Sequence, residues 1–215
     1  RAEIHKFFMS YKDNKKSNVY KSREGYNLYA SNYDQTLKLL DSFEKDFLLT
    51  ILSKIKVGEA LDLGCGTGRL IPTLKRSAAK ISAADVSEEM LRIVKQKFPE
   101  VETSLANVND LPFNEGYFDL VVASFLIVHV RDLEVAFDQV YRVLKDGGIF
   151  IVTNINQRKP PKLESKNGEK VVIESHYHRP VDVIKALENC LFKIEKEEFV
   201  NEKGVWINQI VVARK

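Results

Sequence analysis

Short apolar runs alternate with helix-like stretches along most of the chain. The residues at 60–65, 80–85, 102–108, 118–125 and 148–154 are predicted to form strands. Strands alternating with helices favour βαβ units and a parallel sheet. The run at 118–125 is apolar at almost every position, which is typical of a central strand covered on both faces.

Boundary residues separate the helices from these strands. Ser87 and Asp132 stand where side chains that cap helix N-termini are favoured, so a helix is predicted after each. The sequence Asp-Gly-Gly at 146–148 predicts the end of the second of these helices and the turn into the next strand. Pro180 is predicted to be the first residue of a later helix. At the front, apolar residues at helical spacing over 37–51 predict one or two further helices.

The last third of the chain is patterned differently. Two β-rich runs at 192–200 and 205–213 flank the polar turn 201–204, which predicts a closing antiparallel hairpin. The stretch 157–178 has no clear period and is predicted to be an irregular insert. Inserts of that length tend to be functional or mobile.

Composition excludes several classes of protein. The chain has 215 residues, 44% of them hydrophobic and 29% charged, with a formal net charge of +3. That balance is typical of a globular domain and lacks the basic stripe of nucleic-acid binders, so no nucleic-acid partner is expected. The two cysteines predict no disulfide framework. Without a long apolar run or a visible signal peptide, we expect no membrane span and a cytoplasmic location.

A glycine-rich turn follows the first predicted strand, at 61–68, with the sequence LDLGCGTG. In open α/β sheets such a turn is the usual ligand position. A phosphate-binding P-loop would need Lys-Ser or Lys-Thr after its last glycine, whereas Arg69-Leu70 follows here. The dinucleotide fingerprint also fails, because Arg69 stands where its third glycine would be.

Two carboxylates refine the choice of ligand. Asp62 precedes the first glycine, where it would repel a pyrophosphate but favour a ligand that carries ammonium and sulfonium groups. Asp85 ends the next predicted strand, where a carboxylate can accept hydrogen bonds from both ribose hydroxyls. Nicotinamide and methionine nucleotides share that ribose, so Asp62 and the glycine spacing carry the distinction.

With these features in place, the sequence resembles the class I S-adenosylmethionine-dependent methyltransferases over about 26–215. LDLGCGTG at 61–68 resembles their first motif, and AADVSEEML at 83–91 resembles the second. ANVNDLPF at 106–113, FDLVVASFLIVHV at 118–130 and LKDGGIFIV at 144–152 resemble the third, fourth and fifth. The position of Asn107 holds Asp in many relatives, although an amide oxygen can still accept from the adenine amino group.

The resemblance implies a Rossmann-like seven-stranded sheet, mostly parallel with an antiparallel last strand, helices on both faces and an N-terminal helical lid. It divides the chain into an arm and lid at 1–33 and a methyltransferase domain at 34–215, with the insert 157–178 over the acceptor site. The implied cofactor is S-adenosyl-L-methionine. Its expected binding residues are Tyr33, Asp62, Gly64, Cys65, Gly66, Gly68, Asp85, Val86, Asn107, Val108, Ser124 and Phe125.

Candidate acceptor-site residues lie in three places. His129 follows the fourth strand, and its ordinary pKa would suit a general base. His176 and His178 stand at the end of the insert and are expected to face the acceptor. Tyr26 and Tyr29, with Tyr33, stand in the predicted lid. No third ligand accompanies the two neighbouring histidines, so no metal is expected.

The sequence therefore predicts an enzyme that transfers a methyl group by in-line displacement to an O, N or C atom of a small-molecule or carrier-bound acceptor. A cofactor-binding partner protein without chemistry and an RNA or protein methyltransferase remain alternatives. Motifs of this kind specify cofactor and fold but say little about substrate. The expected state is a monomer or a homodimer.

Overall fold

A computed structural model describes residues 18–44 and 46–215. Its strands, in chain order, are β1 Asn18–Tyr20, β2 Val57–Leu63, β3 Ala78–Asp85, β4 Glu102–Leu105, β5 Phe118–Ala123, β6 Leu144–Ile155, β7 Lys162–Glu164, β8 Lys170–Ile173, β9 Lys193–Glu202 and β10 Val205–Arg214. Its α-helices are α1 Ser22–Tyr33, α2 Leu37–Glu44, α3 Phe47–Ser53, α4 Ile71–Ser77, α5 Glu88–Lys97, α6 Leu133–Val143 and α7 Pro180–Asn189. Short 3₁₀ turns follow α1, at Asp34–Thr36, and β5, at Ile127–His129.

Seven strands form the main sheet, in the order β4-β3-β2-β5-β6-β10-β9. β2 pairs in parallel with β3 and β5, and β5 pairs in parallel with β6. β10 runs antiparallel to both β6 and β9, as the predicted closing hairpin requires. This confirms the predicted α/β fold with one reversed strand near the edge. The strand order reverses between β2 and β5, which creates a crevice at their carboxyl ends.

Three predicted helix N-termini are confirmed, after Ser87, after Asp132 and at Pro180. The Ser87 hydroxyl accepts from the Met90 amide at 3.2 Å, and the Asp132 carboxylate accepts from the Glu134 and Val135 amides. Each contact satisfies an amide that a helix N-terminus otherwise leaves unpaired. Pro180 is the first residue of α7, where its missing N–H costs nothing.

Two buried apolar clusters hold the sheet between its helices. One contains Phe118, Phe137 and Phe150, with residues of α6 and α7. The other contains Phe43 and Leu48, with residues of α2, α3, α4 and α5. Both faces of the central strands are therefore covered, which explains why β5 has so few polar positions.

The expected end of α6 is wrong by several residues. The helix ends at Val143, and the chain pairs as β6 from Leu144, so Asp146 and the two glycines that follow it lie within the strand. Gly147 there donates its amide to the carbonyl of Lys215, the end of the chain. The turn signal was real, but the tertiary pairing of β6 placed it inside a strand.

The stretch 157–178 is not irregular throughout, which corrects the sequence prediction. It contains the antiparallel hairpin β7–β8, and β8 pairs in parallel with β1 at the front of the chain. The resulting three-stranded sheet, β1-β8-β7, packs beside α1. We call α1 and this small sheet the cap. Partners so distant in sequence leave no local period to detect.

Among the residues the structure describes, no helix is long and apolar enough to cross a bilayer. Residues 1–17 of the predicted arm lie outside the described residues.

Candidate functional site

A cavity of about 680 Å³ lies between the carboxyl ends of the central strands and the cap. Its floor includes Gly64 and Gly66 after β2, Asp85 after β3 and Ser124 after β5. Tyr26 of α1 contributes to its roof. The volume is in the range of pockets that enclose small organic ligands.

Gly66 brings the backbone of the glycine turn close to the cap. Its φ of +53° lies in the left-handed region, and an added Cβ would stand 3.4 Å from the ring of Tyr33. Gly64 is similarly constrained, because its Cβ would approach Leu126 at 2.9 Å. A side chain at Gly66 would therefore both strain the turn and fill space at the cavity wall.

Asp85 is the best-supported ligand-binding carboxylate. It is buried, and its two oxygens accept from the Gly66 amide at 2.8 Å and the Ser87 amide at 2.9 Å. Burial raises the pKa of Asp85, while its backbone hydrogen bonds act in the opposite direction. Each carboxylate oxygen retains accepting capacity. The group can therefore bind two neighbouring hydroxyls in the cavity.

Asp62 offers the second test of the expected cofactor. The residue is 2% exposed, and its Oδ2 has no hydrogen-bond partner among the described residues. Burial raises the pKa of Asp62 to about 7, although nearby Arg69 lowers it. A buried oxygen without a partner is costly unless a ligand completes it. The ammonium of a methionine nucleotide supplies the complementary charge, so the residues fit that cofactor.

Arg69 forms a charged cluster beneath the cavity that the sequence analysis missed. Its guanidinium lies 2.8 Å from Glu44, 2.9 Å from Asp41 and 2.7 Å from the hydroxyl of Ser124. Ser124 donates in turn to Glu44 at 2.5 Å. The cluster ties the glycine turn to α2 and fixes the Ser124 side chain. The only sequence signal was the presence of Arg69 where a dinucleotide fingerprint has glycine.

Phe125 lies next to this cluster in an unusual backbone conformation. Its φ is +55°, its amide donates to the Thr153 hydroxyl at 2.9 Å, and the Arg69 guanidinium lies 5.3 Å from its ring centroid. Such a conformation costs about 1–3 kcal/mol for a residue with a side chain and is concentrated at functional sites. Ser124 and Phe125 both line the cavity, as the resemblance implies.

Apolar side chains that could pack against a flat ring also line the cavity. Val86 and Val108 line it as expected, together with Met90 and Leu105, which the sequence analysis did not include. Asn107 also lines the cavity, and its Oδ1 accepts from the Asn109 amide at 3.0 Å, which fixes the amide plane.

Three expected cofactor residues stand behind the cavity wall. Asp62, Cys65 and Gly68 are absent from the residues that line it. Cys65 is packed in an apolar cluster, so a ligand would meet its backbone and not its thiol. A Cβ on Gly68 would approach Ile71 and Phe98 at 2.8 Å, which makes this glycine a requirement of packing at the start of α4.

Polar contacts hold α1 over the cavity. Asn27 accepts from the Ser87 hydroxyl at 2.6 Å and donates to Glu88 at 3.0 Å, and Arg23 forms an ion pair with Glu88. These contacts join the cap to the N-terminus of α5.

The turn after α1 makes a second connection. Asp34 accepts from the Thr67 hydroxyl at 2.6 Å and forms an ion pair with Lys97. These contacts fix the preceding Tyr33 over the glycine turn, where it lines the cavity. Burial raises the pKa of Tyr33 well above its usual range, so its phenol stays neutral.

The three candidate histidines separate into two groups. His129 and His176 line the cavity, whereas His178 does not. The Nε2 of His178 lies 2.9 Å from the Val130 carbonyl and 3.1 Å from that of Ile127. A nitrogen that faces two carbonyls must carry the proton, so His178 fixes the turn after β5.

His129 faces the cap. Its Nε2 lies 2.7 Å from the Tyr26 hydroxyl, and its Nδ1 lies 2.9 Å from the Glu174 carbonyl oxygen. Burial lowers the pKa of His129, and His176 lowers it further, while the contact with Glu174 raises it. A neutral imidazole is therefore available to accept a proton at neutral pH.

Known proteins similar in sequence to this chain include methyltransferases. Residues 61–152 match the family model described as a methyltransferase domain. A malonyl-[acyl-carrier protein] O-methyltransferase of Salmonella typhimurium is 30% identical over 134 residues, which cover 62% of this chain and 53% of that protein. A ubiquinone/menaquinone biosynthesis C-methyltransferase of Campylobacter jejuni is 30% identical over 154 residues, which cover 63% and 64%. The chain thus spans less than two thirds of either relative.

A solved structure shows the same fold. The chain described as a DhpI–SAM–HEP complex superposes with a TM-score of 0.75 at 19% identity, over 89% of this chain and 95% of that one. The family match covers the glycine turn, Asp85 and the strands that carry them. Residues 61–152 of this chain therefore match a methyltransferase domain, and the fold around them is the one that this solved structure shares.

Proposed function

We propose that this protein transfers the methyl group of S-adenosylmethionine to a small-molecule or carrier-bound acceptor. The observation that carries the proposal is the single cavity that joins the Asp85 side to the His129 side. A cofactor and an acceptor in one enclosed space can approach in line, which the displacement requires. The bound cofactor would supply an activated methyl group on a sulfonium and a neutral leaving group.

The cofactor would be held by hydrogen-bond acceptors and apolar side chains at the floor of the cavity. Asp85 would bind the ribose hydroxyls, and Asn107 with Val108 would meet the adenine between the apolar side chains of Met90 and Leu105. Asp62, which does not itself line the cavity, would balance the ammonium by its charge at longer range. Tyr33 would cover the sulfonium side from the cap. These groups bind and orient the cofactor without taking part in the bond changes.

The cap would keep water out of the reaction. Its contacts through Asn27 and Asp34 join it to the residues that follow β2 and β3. Exclusion of water strengthens the electrostatic interactions inside and prevents competing transfer. The segment after β8 completes the enclosure, because the His176 amide donates to the Val128 carbonyl at 2.7 Å.

The acceptor would lie between His129, His176 and the cap. Lys21 and Arg131 also line the cavity. His129 is the candidate base, and His176 is a candidate contact. We assign His178 a structural part. A general base is needed only where the acceptor atom carries a proton of high pKa.

The relatives favour a small acceptor group. One is named as an O-methyltransferase of malonyl-[acyl-carrier protein] and the other as a C-methyltransferase of ubiquinone/menaquinone biosynthesis. The walls of this cavity, apolar with a few convergent polar groups, are typical of small-molecule sites. A cytoplasmic location and a monomer or homodimer stay predictions of the sequence.

Thermal unfolding with S-adenosylmethionine, S-adenosylhomocysteine or NADH tests the proposal first. At 100 times the dissociation constant, binding adds about 2.7 kcal/mol to the free energy of unfolding. We expect a rise in melting temperature with the two methionine nucleotides alone. Transfer of labelled methyl groups to a panel of small acceptors then tests for chemistry. A rise with NADH alone would contradict the cofactor assignment, and binding without transfer to any acceptor would favour a non-catalytic partner.

A further inference from the structure

The contact between Tyr26 and His129 joins two distant parts of the chain. The Tyr26 hydroxyl and His129 Nε2 are 2.7 Å apart, although 103 residues separate them in sequence. Their rings meet edge to face, with centroids 5.2 Å apart and planes at 90°. Both residues line the cavity. We call them the tyrosine–histidine pair.

The Glu174 carbonyl fixes the direction of this hydrogen bond. A carbonyl oxygen can only accept, so the Nδ1 of His129 at 2.9 Å must carry a proton. In the neutral imidazole, Nε2 is then unprotonated and accepts from the Tyr26 hydroxyl. Tyr26 therefore donates its proton to His129, and its oxygen can still accept a hydrogen bond.

Each member of the pair needs the other. His129 cannot contact an acceptor through Nε2, because Tyr26 occupies that position. Tyr26 cannot itself keep a negative charge, because burial raises the pKa of its phenol well above the usual range. A proton that reaches the Tyr26 oxygen can therefore stay only if the original phenolic proton moves to His129.

The position of Tyr26 places it between the two halves of the cavity. Its ring centroid lies 6.1 Å from that of Tyr33, which in turn stands over Gly66. On the other side His129 leads to Glu174 and His176. The hydroxyl thus lies near the cofactor side and the acceptor side at once, as a proton acceptor for methyl transfer must.

We propose that Tyr26 and His129 form a proton relay, with Tyr26 as the catalytic residue that touches the acceptor, and that the acceptor atom is a hydroxyl oxygen. The inference rests on the proposed function. As the acceptor oxygen bonds to the methyl carbon, the carbon–sulfur bond breaks and its electron pair leaves with the sulfur. The acceptor proton passes to the Tyr26 oxygen, and the phenolic proton passes to His129 Nε2. The imidazolium then donates from Nδ1 to the Glu174 carbonyl until solvent removes its proton.

A hydroxyl is the acceptor that needs this relay. Aromatic thiols and carboxylic acids ionise near neutral pH without help, and a neutral amine needs no base to react, whereas an alcohol or phenol must lose a proton of high pKa as it is methylated. The titratable groups around the pair are Tyr29, Tyr33, Asp85, Glu174 and His176. His176 disfavours a charged His129, which keeps the resting imidazole neutral.

Nitrogen NMR of the histidine rings tests the resting state without any acceptor. The full chain is labelled at its 4 histidines, saturated with S-adenosylhomocysteine, and compared with Tyr26→Phe and His129→Gln, the latter to assign the resonances. We expect an unprotonated Nε2 and a protonated Nδ1 in His129, with a shift of the Nε2 resonance in Tyr26→Phe. A protonated Nε2 at neutral pH, or a resonance unchanged by Tyr26→Phe, would overturn the relay.

Matched acceptors test the chemistry. Phenol and thiophenol are each offered with labelled S-adenosylmethionine. Removal of a general base costs about 100-fold or more, so Tyr26→Phe and His129→Gln should lose at least that factor with hydroxyl probes and less than twofold with thiols. The wild-type rate with hydroxyls should rise with pH to a plateau, with its midpoint below the ordinary histidine pKa. Tyr141→Phe, which loses the same hydroxyl outside the cavity lining, is the control.

The outcomes separate the two proposals. A wild-type chain that binds neither methionine nucleotide in calorimetry refutes the proposed function itself. A chain that binds them, but methylates only thiols or amines or methylates hydroxyls equally well in Tyr26→Phe, refutes the relay alone. Where neither phenol nor thiophenol accepts a methyl group, the NMR result decides.

Discussion

The two halves of the cavity are built in different ways. The cofactor half consists of short turns that each follow a strand of the sheet, and every turn carries its own sequence motif. The acceptor half joins Tyr26, His129 and Glu174, which are separated by 103 and 45 residues. A site made from local turns can be identified from sequence, whereas a site made from distant partners becomes visible only when the chain has folded.

The largest effect on cofactor affinity should come from Asp85, in the cofactor half. We expect Asp85→Ala to weaken binding of S-adenosylmethionine at least tenfold, about 1.4 kcal/mol, because the charge-assisted bonds to the ribose are lost. The Asp85 carboxylate also accepts from the Gly66 and Ser87 amides, and the variant loses these two hydrogen bonds as well. Calorimetry measures the affinity. Asp182→Ala removes an exposed carboxylate outside the cavity and is the control, and equal affinity in both variants would refute the ribose assignment.

Gly66→Ala and Gly204→Ala are a matched pair of variants that test whether the cofactor approaches the glycine turn. Both have positive φ, but a Cβ at Gly204 meets nothing within 4 Å, whereas one at Gly66 stands 3.4 Å from Tyr33. Alanine in the left-handed region should cost about 1–2 kcal/mol of unfolding free energy at either position. We expect only Gly66→Ala to lose cofactor affinity as well, by about tenfold, which is about 1.4 kcal/mol. Comparable affinities in the two variants would show that the cofactor does not approach this turn.

The two histidines after the small sheet should behave differently. His178→Ala removes hydrogen bonds to the Val130 and Ile127 carbonyls, so we expect the unfolding free energy to fall by about 1–2 kcal/mol with cofactor affinity unchanged. His176→Ala should lower turnover while leaving stability within about 0.5 kcal/mol. Denaturant titration and turnover assays on both variants measure this. A His178→Ala variant that keeps its stability but has impaired turnover would contradict the structural part and place His178 in the acceptor site.

The smallest effect is the pH dependence of cofactor affinity through Asp62. Burial holds the pKa of Asp62 at about 7 in the free protein, and a bound ammonium would lower it. The ionised form therefore binds better, so affinity should increase about fourfold from pH 6.5 to pH 8 and then level off. Calorimetry over this range gives the slope. Asp62→Asn should bind more weakly with a flat profile, and a slope that persists in that variant would assign the proton elsewhere.

Local chemistry explains how much of the molecule could be predicted. Ser87, Asp132 and Pro180 act on neighbouring amides, so their helix boundaries followed from sequence alone. Asp85 and Asn107 line the cavity as expected, because strand ends fix where they stand. Met90 and Leu105 were missed because an apolar residue at helical or strand spacing carries no mark that separates a cavity wall from a core.

Long-range pairing explains what could not be predicted. β8 has no pattern of its own and is defined by its pairing with β1 and β7. The same holds for Arg69, whose partners Asp41 and Glu44 stand more than twenty positions away on α2.

By itself the sequence determined the α/β fold, the reversed strand near the edge and the turns that form the cofactor half, because periodicity, caps and glycines act over a few residues. Only the tertiary structure decided that His129 faces Tyr26, that His178 serves the backbone and that Cys65 turns into the core. Those outcomes depend on which distant surfaces meet when the chain buries its apolar faces, and no local pattern records that choice.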